Sequence, residues 1–180
     1  MNIQEFELRS YEREIESLKK EALDISQLSK EERNWTIYSL HTSNRVHLAI
    51  VGLCSLVEVT LFERIQLIEK DQKFKLNDIN GVGISRLQKY LSKTDAIDFG
   101  KIKNWSEFKN IYVLRNTFIH SYGGMIESKQ IEEAKKSIKL LGFDDKKLVV
   151  GGWRIRLDID TLEKFHKIFK NVINEIQVHT

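Results

Sequence analysis

The chain has 180 residues and no proline. Proline removes a backbone donor and clashes with the preceding turn of a helix, so its absence points to long, unkinked helices. There is one cysteine, Cys54. That excludes an internal disulfide, and its place in an apolar run predicts a buried thiol in a reducing cytosol. Metal-ligand spacing is missing too. His41, His47, His166 and His179 stand apart from cysteine or carboxylate clusters and read as surface or core histidines, so neither a metal nor another cofactor is expected. The most apolar stretch, Val46 to Val57, stops at Glu58; it is too short to span a bilayer and reads as a core helix. The first residues, Met1-Asn2-Ile3-Gln4-Glu5, carry an early acid and no apolar signal core. The expectation is a cytoplasmic protein with no membrane partner. No internal repeat or low-complexity linker divides the chain. Gly81-Val82-Gly83 lacks the further glycine and the strand context of a nucleotide loop and reads as a turn.

What is present is a globular balance of 41% hydrophobic and 31% charged residues. A single domain over 1–180 of this length buries about 70% of the surface its unfolded chain exposes, enough for a core without staples. The net charge of +3 permits binding to a phosphate backbone without demanding it.

Periodicity divides the chain into helices. Phe6, Tyr11, Ile15, Leu18, Ala22 and Ile25 fall at three- and four-residue steps and predict one amphipathic helix over 3–28. A second helical stretch starts near Lys30, with a pause at Thr42-Ser43-Asn44, where capping residues cluster. From Arg45 to about Lys70 the pattern is a long central helix. Residues 71–103 form a variable insert rich in turn formers, with a short helix at Ile84 to Leu91. Asn104 reads as an N-cap paired with Glu107, opening a helix that ends at Gly123-Gly124. Another helix covers Ser128 to Leu141, closed by Gly142. Leu148 to Leu157 reads as a small hairpin around Gly151-Gly152. A last helix runs from Asp160 to Gln177. The expected fold is all-α, a bundle of long antiparallel helices with a β-hairpin at about 148–157 before the C-terminal helix.

One string carries chemistry: Leu114-Arg115-Asn116-Thr117-Phe118-Ile119-His120-Ser121-Tyr122. At about 100° per residue, Asn116 and His120 share a face, and so do Arg115 and Tyr122. The Arg115 and His120 stripes lie about 140° apart by the same geometry. One helix alone aims them poorly at a single phosphate, whereas a cleft formed with a second copy gathers both. Metal-free RNA cleavage needs a group that exchanges protons near neutral pH, which histidine supplies. It also needs a fixed cation for the phosphorane-like transition state, which arginine supplies as a planar fork of donors. Asn116 would hold the His120 ring or donate to phosphate. The plain alternative is a buried Arg–His pair that ties helices together. Glu58 in its apolar run needs a partner. It either pairs with Arg115 or otherwise orients the motif, or it reaches solvent at a helix edge.

Arg115-Asn116-Thr117-Phe118-Ile119-His120 resembles the Arg-polar-x-x-x-His hallmark of the HEPN superfamily of helical domains. The upstream run Leu53 to Phe62, with Glu58 in its middle, resembles the long apolar helix of that family, and the order of elements is similar. The resemblance implies a HEPN-type bundle and a homodimer with its motif helices face to face. It also implies a metal-independent endoribonuclease of toxin–antitoxin or antiphage systems, with RNA as substrate. His120 would be the general acid–base and Arg115 the phosphate clamp, with Asn116 beside them and Glu58 and Tyr122 in support. Other members have lost catalysis and bind RNA, nucleotide or a protein partner. The longer string Arg-x-x-x-x-His-x-Tyr resembles the HepT branch, in which a nucleotidyltransferase partner silences the toxin by adding AMP to the tyrosine, here Tyr122. A plain packing role for Tyr122 under the glycine turn stands beside that reading.

Overall fold

α1 (Ile3–Ser26) turns Leu8, Ile15 and Leu18 inward, while Phe6 is exposed. The buried stripe thus runs through Leu8 rather than Phe6, about 200° away on the helix, because the Leu8 face meets its neighbours. The computed structural model describes residues 3–28, 35–120, 126, 128–151 and 154–178; the side chains of Trp35, Thr36, His120 and Ser128 are not among the described ones.

α2 (Trp35–Ile68) runs unbroken through Thr42-Ser43-Asn44, where the sequence predicts a pause. Thr42 and Ser43 are buried, and the Ser43 hydroxyl accepts a hydrogen bond from the Leu157 backbone N–H at 3.3 Å. A side chain claimed by tertiary structure cannot cap a local helix end. α2 is long and apolar enough to cross a bilayer by length and composition, unlike the short run read from the sequence, and half of its most apolar stretch is buried in the bundle.

A single-turn 3-10 segment, Glu69–Asp71, leads into the insert, which holds a second, Leu76–Asp78, and then α3 (Gly83–Lys93), which buries Ile84, Leu87, Tyr90 and Leu91. α4 (Trp105–His120) follows. Its leading residue, Asn104, sits at φ 63°, and its carboxamide donates to Glu107 Oε1 at 3.0 Å and accepts from Asn171 Nδ2 at 2.9 Å. The predicted pair with Glu107 thus forms side chain to side chain, and the Asn104 carbonyl accepts the first helical N–H, from Phe108, at 2.9 Å, while the carboxamide caps no backbone amide. α5 (Ser128–Leu140) ends in a Schellman turn. Gly142 is left-handed at φ 77°, and the Phe143 N–H reaches back to the Ile138 carbonyl at 3.1 Å. The end of α4 predicted at Gly123-Gly124 lies outside the described residues.

A four-residue helix, α6 (Asp145–Leu148), leads into β1 (Val149–Val150), which pairs antiparallel with β2 (Arg154–Ile155), Val149 opposite Ile155. Two-residue strands are marginal alone; this pair is anchored by buried Leu148, Ile155 and Leu157. α7 (Ile159–Val178) starts at Asp158, whose carboxylate accepts the Thr161 N–H at 2.8 Å. The fold is all-α with one small hairpin before the C-terminal helix.

Contacts across the helices set their directions. Glu58 meets Tyr112 and His47 meets Phe118, so α2 and α4 are antiparallel. Gln4 meets Glu63 and Glu21 meets His41, so α1 and α2 are too. Phe108 packs on Phe169 at 5.7 Å, and Asn104 bonds Asn171, which sets α4 against α7. Lys19 pairs with Glu163 and Glu12 with Lys170, which sets α1 against α7. These four pairs are antiparallel, whereas α2 and α7, which also pack on each other, run the same way through the middle. Leu53, Val57 and Leu61 of α2 and Phe165, Phe169, Val172 and Ile173 of α7 are fully buried in the core, each contributing about 1.5–3 kcal/mol.

Candidate functional site

The motif occupies the second half of α4, on the side facing α2. Tyr112 and Arg115 are three residues apart and therefore neighbours on the helix surface. The Arg115 guanidinium carbon lies 5.3 Å from the centre of the Tyr112 ring, a cation–π placement. Asn116 accepts from Arg115 Nη1 through its side-chain oxygen at 3.0 Å. Arg115 Nε is buried and has no hydrogen-bond partner among the described residues. The guanidinium is held on two sides and keeps donors uncommitted, as an anion-binding arginine requires.

Glu58, in the middle of α2, is half-buried, and its Oε1 accepts the Tyr112 hydroxyl. It forms no ion pair with Arg115, the partner expected first; it reaches the arginine through the tyrosine ring. Burial, then the hydrogen bond to Glu58 and the Glu58 charge, push the Tyr112 phenol up to about 12, so it stays a neutral donor. The start of α3 closes this corner. Gly83 sits at φ 52°, and a Cβ there would fall 2.7 Å from the Tyr112 hydroxyl. Only glycine suits both that backbone and that approach.

Cys54 lies one turn before Glu58 and is fully buried. Burial raises its thiol well above the usual range; Arg115 works against that shift and Glu58 adds to it, so both charges act at the sulfur. Farther along, the His47 ring stacks on Phe118 with centroids 4.0 Å apart and planes 15° apart. Its Nε2 lies 3.5 Å from the Ser43 hydroxyl. Burial lowers the His47 imidazole to about 4, so it is neutral at physiological pH. His47 is a core histidine at the seam, as its lack of ligand spacing predicts. His166 is likewise buried, with Nε2 3.1 Å from the Leu8 carbonyl oxygen.

The structure thus brings Arg115, Asn116 and Glu58 into one cluster. The backbone of His120 is the last residue of α4, one turn beyond Asn116; its side chain, and all of Tyr122, lie outside the described residues. Tyr112 and Gly83 are the members that sequence reasoning misses. Tyr112 carries a usable signal, an aromatic three residues before an arginine on one helix face. Its bond to Glu58 spans 54 residues and has no local signature. Among the described residues, no three His, Cys, Asp or Glu side chains gather as metal ligands. Comparison with known proteins finds no matching family model, curated protein or solved structure.

Proposed function

We propose that this chain is a HEPN-type, metal-independent endoribonuclease that acts in the cytoplasm, in toxin–antitoxin or antiphage defence. The observation that carries the reading is the state of Arg115. It is stacked on Tyr112 and tethered by Asn116, yet keeps a buried Nε without a partner. The stack and the tether fix the plane of the guanidinium, and its Nη2 carries no hydrogen bond among the described residues. A phosphate oxygen would take that donor.

In the proposed reaction His120 takes the proton of the ribose 2′-hydroxyl as that oxygen attacks the adjacent phosphorus. Arg115 stabilises the charge on the non-bridging oxygens. The bond to the 5′-oxygen breaks, and that oxygen leaves with the proton that His120 gives back, so the products are a 2′,3′-cyclic phosphate and a 5′-hydroxyl end. The 140° between the two stripes is met by a twofold dimer in which facing α4 helices share one cleft. Leu48, 71% exposed, and Ile119, 43% exposed, follow the two members of the stacked His47–Phe118 pair. They offer an apolar contact beside the motif. An antitoxin or nucleotidyltransferase partner would act on the same cleft, in the second case at Tyr122.

A non-catalytic binding module is the competing reading. It is favoured by the same Arg115–Tyr112–Glu58 chain taken as a strut between α4 and α2. The test is cleavage of single-stranded RNA in the presence of a chelator. Wild type should yield cyclic-phosphate ends, and His120→Ala and Arg115→Ala should each abolish them with the helical signal intact. Equal cleavage by wild type and His120→Ala would assign the activity to a contaminant and favour the binding module.

A further inference from the structure

Behind the Tyr112–Glu58 corner, α2 and the insert border an open depression of about 330 Å³ lined by Glu58, Val59, Phe62, Leu76, Gly83, Arg86 and Leu87. Its volume is at the low end for small-molecule sites and suits one planar ring system. The walls are apolar, and Phe62, 43% exposed, offers an aromatic surface. Two charged groups break the apolar lining. Arg86 is steadied through Nη2 by the Leu76 carbonyl at 3.0 Å and the Asn77 side-chain oxygen at 2.9 Å, while its Nη1 carries no hydrogen bond among the described residues. Glu58 has given one oxygen to Tyr112; a carboxylate has about four acceptor positions, so several remain.

We propose that this depression is a guanine-selective base pocket. The proposal rests on the RNA-cleaving reading for its place in the reaction, but the pocket's chemistry stands on its own residues. An ionised carboxylate only accepts hydrogen bonds. Guanine alone among the four bases presents two adjacent donors, N1–H and N2–H, on its Watson–Crick edge. Adenine and cytosine each set an amine beside a ring nitrogen acceptor, which a carboxylate repels. Uracil sets its one N–H between two carbonyl oxygens. Single-stranded RNA is read by such edge contacts together with stacking on aromatic rings. Glu58 takes the guanine donors, Phe62 takes the ring face, and Arg86 donates to the base acceptors O6 and N7. Through Glu58 and Tyr112 the pocket adjoins Arg115, so a guanine seated there places its neighbouring phosphate toward the motif.

Calorimetric titration of the full chain with guanosine, inosine and adenosine 5′-monophosphates tests the pocket whether or not the protein cleaves RNA. Guanosine monophosphate should bind at least about tenfold more tightly than adenosine monophosphate, since the bonds at stake are charge-assisted. Inosine monophosphate, which lacks the N2 amine, should fall between them. Glu58→Gln should remove the discrimination. Phe62→Ala, at an exposed position, should weaken the guanine and adenine nucleotides together with the helical signal unchanged. Equal affinity for the guanine and adenine nucleotides, guanine preference untouched by Glu58→Gln, or affinity untouched by Phe62→Ala overturns the proposal. A guanine preference in a protein that cleaves no RNA would uphold the pocket and defeat the nuclease reading. RNA cleavage without nucleotide discrimination would do the reverse.

Discussion

His47 shows how one side chain couples the fold to pH. Its imidazole titrates near 4 when folded and near 6.5 when unfolded, because burial against Phe118 disfavours the charged ring. The neutral form is the one that fits. The full contribution of His47 is present above about pH 6.5 and is lost as pH falls through the folded value. At about 1.36 kcal/mol per unit, acidification from pH 7 to below 4 should remove about 3 kcal/mol. Urea denaturation across that range should show the loss, and His47→Phe, which keeps the stack, should flatten it. Gly83 is the second sensitive residue. Gly83→Ala should destabilise by about 1–3 kcal/mol through its left-handed backbone. It should also push the Tyr112 hydroxyl away, since the new Cβ would sit 2.7 Å from it. The two effects separate in a double-mutant cycle: in a Tyr112→Phe background the penalty should shrink toward the backbone value alone. Arg115, Asn116 and Glu58 could be singled out because arginine, asparagine and a stranded carboxylate are conspicuous in their local sequence. Gly83 could not, because its role is fixed by a hydroxyl 29 positions away.

Helices were legible where apolar periodicity was strong and ambiguous where polar side chains had tertiary partners. α5 and α7 begin and end within a residue or two of their predicted bounds, since Gly142 and the Asp158 region act locally. The Thr42-Ser43-Asn44 break did not materialise, because the hairpin takes the Ser43 hydroxyl through the Leu157 amide. Asn104 opens α4 and pairs with Glu107 as predicted, but its carboxamide is held by Glu107 and Asn171 rather than by backbone amides. The working cap is Asp158, which accepts both the backbone N–H and the hydroxyl of Thr161, at 2.8 and 2.6 Å. Asp158→Ala should cost about 1 kcal/mol of stability, and Asp158→Asn should recover most of it. Thermal melts followed by circular dichroism would measure both.

At the level of the whole molecule, α1, α2, α4 and α7 form a ring of antiparallel neighbours, a topology that long helices and a hairpin in series make easy to anticipate. The site is only half anticipated, since the insert at 71–103 supplies Gly83, Leu76 and Arg86 to a corner that the motif helix alone does not reveal. Assembly is the remaining molecular question. Two copies joined across α4 would need to cover about 800 Å² each for a stable interface. Leu48 and Ile119 would be at its edge or centre. Sedimentation at micromolar concentration should give a dimer, and Leu48→Glu, at an exposed position that leaves the monomer core untouched, should shift it to monomer. A wild-type protein that sediments only as monomer would remove the shared cleft.

The single thiol turns the α2–α4 seam into its own timer. Cys54 has no exposed surface, and its raised pKa keeps it from the thiolate form that reacts with alkylating reagents. A reagent added to the native protein can therefore mark the chain only in the moments when the two helices part. Labelling slower than that of an exposed thiol, read by intact mass, gives the free energy of that parting without denaturant. Any ligand that bridges α2 to α4 should lengthen the interval between openings as the reciprocal of the unliganded fraction.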